Sequence, residues 1–132
     1  MGYYSYFSGS IEITPPLPEG VAKMLRHHLA GGPYTVPWLN YEIHPEWELD
    51  ETGSQLLMPE DECRGCAAEK ELKYLIDRFI PEGHKVEGVM EVDGGNTTDN
   101  WVIRVVDRVV YVQAYVLELV GEPEKVTLTV ED

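Results

Sequence analysis

The sequence predicts an α+β domain, a largely antiparallel sheet of five to six strands with two helices packed on one face. Three observations carry that prediction. Residues 3–14 and 39–50 alternate with period two, 19–30 and 61–80 place apolar residues at helical spacing, and the last third holds short β-rich runs joined by turn residues. At 132 residues and 43% apolar content, the chain is long enough for one sizeable core, so a single domain spanning 1–132 is expected.

The first strand puts Tyr3, Phe7, Gly9, Ile11 and Ile13 on one face and Tyr4, Tyr6, Ser8, Ser10, Glu12 and Thr14 on the other. Pro15, Pro16 and Pro18 end it, because proline cannot donate to a ladder. Val21, Met24, Leu25, His28 and Leu29 then form the stripe of a helix over 19–30, stopped by Gly31-Gly32-Pro33. Over 39–50, Leu39, Tyr41, Ile43, Trp47 and Leu49 oppose Asn40, Glu42, His44, Glu46, Glu48 and Asp50. Pro45 inside this run marks an edge strand or a bulge. A turn at 51–54 leads to a short returning strand at Leu56, Leu57 and Met58.

A second helix is expected from about Asp61 to Ile80, with Ala68, Leu72, Leu75, Ile76 and Phe79 as its stripe and Pro81-Glu82-Gly83 as its stop. Residues 84–92 alternate again, with Val86, Gly88, Met90 and Val92 inward, and 93–100 read as a loop. Trp101–Val106 and Val109–Val120 are strands joined at Asp107-Arg108. The second is apolar on both faces, which predicts burial on both sides by helices or by a second subunit. Gly121-Glu122-Pro123 turns the chain, and 125–130 read as a last strand.

The charge balance narrows the function classes. Acids outnumber bases 24 to 10, for a net charge of −14. Neutralising phosphates needs a basic surface, so direct nucleic-acid binding is excluded, and docking on an anionic membrane is disfavoured. No apolar run has the length of a spanning helix. The start, MGYYSYFSGS, lacks the basic and apolar regions of a signal peptide, and Tyr6 stands where a myristoylation signal wants Ser or Thr. The expected location is cytoplasmic.

Several segments resemble a known family. Gly2-Tyr3-Tyr4 followed by Gly9-Ser10-Ile11-Glu12-Ile13-Thr14-Pro15-Pro16-Leu17 resembles small proteins of unknown function from actinobacteria and their phages. Residues 72–88 (LKYLIDRFIPEGHKVEG) are similar to that family's helix, short loop and glycine-bearing strand. Residues 99–105 (DNWVIRV) resemble its Trp-centred strand leading into a terminal hairpin. The resemblance implies a phage or actinobacterial context, hence the host cytoplasm for a phage protein, and implies no activity. Two features depart from the family. Arg108 replaces the usual glycine of the hairpin turn, which argues against a tight primed turn. The Cys63-Arg64-Gly65-Cys66 pair has no counterpart, so nothing about it carries over.

Cys63 and Cys66 have zinc-ligand spacing, and the acids at 60–62 attract cations. Zinc is therefore a possible cofactor, but two further ligands would have to come from His27, His28, His44, His84 or carboxylates. A redox role is opposed by those same acids, which raise thiol pKa values. The plain alternative is a pair of reduced thiols in the first turn of the second helix. His28 reads as a core-edge side chain, and adjacent His27 points about 100° away. Gly94-Gly95 lacks the lysine of a phosphate loop, and no nucleophile elbow or distinctive carboxylate pair occurs, so no enzyme is expected.

The acidic segment is the strongest candidate for binding. No lysine or arginine lies between Arg26 and Arg64, while the acids Glu42, Glu46, Glu48, Asp50, Glu51, Glu60, Asp61 and Glu62 share the stretch with Tyr34, Trp38, Tyr41 and Trp47. Acids steer a basic partner and aromatics anchor it. Glu42, His44, Glu46, Trp47, Glu48 and Asp50 are thus the candidate surface for a protein with a basic face, in one version as a mimic of nucleic acid that blocks a nucleic-acid-binding protein. The plain alternative is that Tyr41 and Trp47 are core and the acids serve solubility. A different expectation is a homodimer formed through 109–120 or the N-terminal strand.

Overall fold

The computed structural model describes residues 4–58, 63–64, 67–93, 100–115 and 121–123. Its strands are β1 (Tyr4–Thr14), β2 (Glu48–Leu49), β3 (Gln55–Leu57), β4 (Cys63–Arg64), β5 (Lys85–Asp93), β6 (Asn100–Val106) and β7 (Val109–Tyr115), and its helices are α1 (Glu19–Leu29) and α2 (Ala68–Phe79). The sheet runs β2-β3-β1-β5-β6-β7, every pairing antiparallel, and β4 pairs the start of β1. This is the α+β architecture expected from the alternation.

Register puts the apolar halves of the strands on one face. Ile13 lies opposite Val86, Phe7 opposite Val92, and Met90 opposite Ile103. Ile11, Ile13, Val86, Met90, Val92, Ile103 and Val105 form one buried cluster with Ala22 and Leu25 of α1 and Leu72, Leu75 and Ile76 of α2. Both helices therefore cover this inner face. The outer face carries Ser8, Ser10, Glu12, Glu87, Glu91 and Arg104 and is exposed or half-buried throughout. Gly9 (φ +117°) sits where β1 crosses β5, and a Cβ there would run into the Val89 carbonyl oxygen. Only glycine accepts both that backbone and that approach.

Five expectations change. The second helix begins at Ala68 and not near Asp61, and Cys63 lies in β4 opposite Ser5, so it is not in a first helical turn. Cys66 and the acids at 60–62 lie outside the described residues. Residues 39–50 are not a strand: only Glu48–Leu49 pair, while Pro45 and the Tyr34–Ile43 bridge hold the rest as a loop. Met24 is 65% exposed, because α1 rolls Ala22 and Leu25 onto the sheet instead.

The fourth change is the Asp107-Arg108 turn. Both residues have positive φ, 49° and 69°, and Val106 pairs with Val109, which is a two-residue primed hairpin without glycine. Arg108 is held there by its side chain. Its guanidinium donates to the carbonyls of Pro81 (2.9 Å), His84 (3.2 Å), Ile76 (3.2 Å) and Ile80 (2.6 Å). It caps the end of α2, where the last carbonyls lack intrahelical partners. The last strand anticipated at 125–130 and the 116–120 part of the preceding one lie outside the described residues. The described part of that strand, β7, is at the edge of the path with Val109, Tyr111 and Val112 exposed, so the helices do not bury it on both sides.

Candidate functional site

The acidic, aromatic segment forms a loop fixed from beneath. Tyr34 and Ile43 exchange backbone hydrogen bonds of 3.0 and 2.7 Å, and Val36 and Ile43 plug the loop into the interior. Trp47, 1% exposed, is a core side chain whose indole N–H donates to the Ala68 carbonyl at 2.9 Å. It cannot offer its ring to a partner. Beside it, Glu71 of α2 is also 1% exposed. Glu71 Oε1 accepts the backbone N–H groups of Glu46 (2.9 Å) and Trp47 (3.3 Å), and Oε2 accepts the Tyr34 hydroxyl (3.4 Å).

One carboxylate therefore clamps both ends of the loop to the first turns of α2. Burial raises the Glu71 pKa to about 7 from an ordinary 4.5, the nearby Glu46 charge adds to this, and the three hydrogen bonds work the other way. Tyr34 in turn is pushed far above its ordinary value by burial and by the Glu71 charge. The clamp was missed in the sequence reading. The signal was present: Glu71 falls between Ala68 and Leu75 on the stripe that α2 buries, and an acid on such a stripe needs a partner.

A layer of rings packs beside the clamp. His28 lies 4.3 Å from Tyr34 and 4.7 Å from Phe79, centroid to centroid, and Tyr34 lies 5.2 Å from Tyr74. His28 Nε2 is buried with no hydrogen-bond partner among the described residues, and burial lowers the His28 pKa, which favours the neutral ring as a packing element. Trp38 rests 6.1 Å from Tyr74 at the layer's rim.

Of the candidate partner-binding residues, Glu42, His44 and Glu48 are exposed and Glu46 is half-buried. Trp38 and Tyr41 are exposed with them and take the place that Trp47 was expected to fill. Two lysines of α2 already use these rings. Lys73 Nζ lies 5.3 Å from the Trp38 centroid, and Lys70 donates to the Tyr41 hydroxyl at 2.7 Å. Asp50 is occupied internally. Its carboxylate accepts from the Ser54 N–H (2.8 Å), the Gln55 N–H (3.1 Å) and the Thr52 hydroxyl (2.9 Å), shaping the turn before β3. Arg26 of α1 ties the same turn down through the carbonyls of Asp50 and Glu51.

The other candidates do not converge. His84 Nδ1 is 2.7 Å from the Pro15 carbonyl oxygen, His28 is in the ring layer, and His44 is on the loop. Among the described residues, no three His, Cys, Asp or Glu side chains come together as metal ligands. Among the described residues, no helix is long and apolar enough to cross a membrane. No protein-family model, no curated protein and no solved structure matches the chain, so the loop's own geometry is what speaks for its role.

Proposed function

We propose that this protein is a non-enzymatic interaction module whose loop 38–48 docks a protein with a basic surface, with Trp38 and Tyr41 as apolar anchors and Glu42, Glu46 and Glu48 supplying charge. The observation that carries the reading is the clamp: a buried Glu71 holds the loop backbone, while Trp38, Tyr41, Glu42 and Glu48 remain at the surface. A fixed loop loses little entropy on binding, and rings beside acids suit lysine or arginine. Lys73 over Trp38 is an internal example of that contact. A partner that normally binds nucleic acid has a surface of the required sign, which makes antagonism by charge mimicry the version we favour. Cytoplasmic location and an actinobacterial or phage context belong to the same proposal.

The test is an affinity capture from actinobacterial lysate, eluted in salt steps. Wild type is compared with a Glu42→Lys/Glu46→Lys/Glu48→Lys variant and with Trp38→Ala. A basic protein released at moderate salt from wild type and lost from both variants supports the reading. Equal capture by all three baits refutes it.

A further inference from the structure

We propose that the outer face of β6 and β7 packs against the same face of a second copy of this chain across a two-fold axis. The outer face is divided. Its β1 side presents Ser8, Ser10 and Glu12, and Glu12 even lies opposite Glu87. Its β6–β7 side presents Val102, Val106, Val109 and Tyr111, joined by Val89 of β5. Val89, Val106, Val109 and Tyr111 are each about half exposed. The solvated face of an antiparallel sheet is ordinarily polar, as the β1 side is, so strand propensity alone does not account for an apolar cluster confined to one half.

Charge identifies the occupant. Arg104 stands in the middle of the cluster, opposite Val89 on one side and Tyr111 on the other. It makes no ion pair among the described residues, whereas Glu87 and Glu91 border the cluster on β5. A two-fold contact brings valines onto valines and carries each Arg104 toward the other copy's acids, so the face is complementary to itself. A generic basic partner would meet Arg104 as a like charge. A strand added along β7 would lengthen the sheet in its own plane and leave this face open. The docking loop packs on α2, in the helix layer on the other side of the sheet, so the two contacts do not compete.

Sedimentation of the full chain over a concentration series tests the proposal, and a concentration-dependent dimer is expected. Arg104→Glu and Tyr111→Lys should each weaken the dimer by at least about tenfold. Adding Glu87→Arg and Glu91→Arg to Arg104→Glu should restore it. Val109→Thr keeps the side-chain shape and strand preference, and it should weaken the dimer without touching the fold. A monomer at every concentration overturns the proposal. So does a dimer indifferent to Arg104→Glu, Tyr111→Lys and Val109→Thr.

Discussion

Replacing Glu71 with glutamine removes a buried charge while keeping the oxygen that receives the Glu46 and Trp47 N–H groups. The native carboxyl has a pKa of about 7 against an ordinary 4.5. A carboxyl raised in the folded state binds its proton more tightly folded than unfolded. Stability is therefore greatest below the ordinary value and falls as pH rises from 4.5 to about 7. The shift corresponds to roughly 3 kcal/mol lost across that window. Glu71→Gln should lack this loss, matching wild type in acid and exceeding it by about 2–3 kcal/mol above the window. Urea unfolding followed by tryptophan fluorescence at several pH values reads the difference, which cancels the carboxylates common to both proteins. Glu71→Leu is the opposite control. It strands the buried Trp47 N–H and the half-buried Glu46 N–H, at a cost of about 1–3 kcal/mol for the first and less for the second, and should free the loop. A wild-type-minus-Gln difference that stays constant with pH, or a Gln variant less stable than wild type at high pH, would refute the reasoning.

Further outcomes follow from the same geometry. Arg108→Ala loses a charged donor to four carbonyls while keeping the positive-φ turn, and should cost about 2–3 kcal/mol by thermal or urea unfolding, with lysine recovering only part. Gly9→Ala meets both the φ of +117° and the Val89 carbonyl, and should cost about 2–4 kcal/mol by the same assay. Asp50→Ala opens the turn before β3 and should cost about 1–2 kcal/mol. Burial works upward on the Asp50 carboxyl, but its hydrogen bonds from Ser54, Thr52 and Gln55 outweigh it and hold it below the ordinary range. Its share is present above the ordinary value of 3.8 and lost as pH falls through the folded value, a trend the alanine variant should lack.

Where a local period was uninterrupted, it was enough. β1 and β5 alternate without a break and take the predicted faces, and the α2 stripe from Ala68 to Phe79 is buried or half-buried as its spacing requires. The candidate site was half legible. The exposed side chains Glu42, His44 and Glu48 could be read from alternation, although the strand proposed to carry them does not form. Alternation fixes which residues share a face, but pairing needs a partner strand in register, and Pro45 and the Tyr34–Ile43 bridge take that backbone elsewhere.

By itself, then, the sequence determined the fold class, the inward residues of β1 and β5, and an acidic segment without a base between Arg26 and Arg64. These depend on neighbours a few positions apart. The tertiary structure alone decided that Trp47 is core and Trp38 is surface, that Glu71 is the clamp, and that Arg108 can stand in a turn that usually takes glycine. Glu71 reaches back 25 residues to Glu46, and Arg108 reaches back 32 to Ile76. A local pattern has no term for such contacts, because what stabilises them is a buried backbone group that only the packed chain brings within reach.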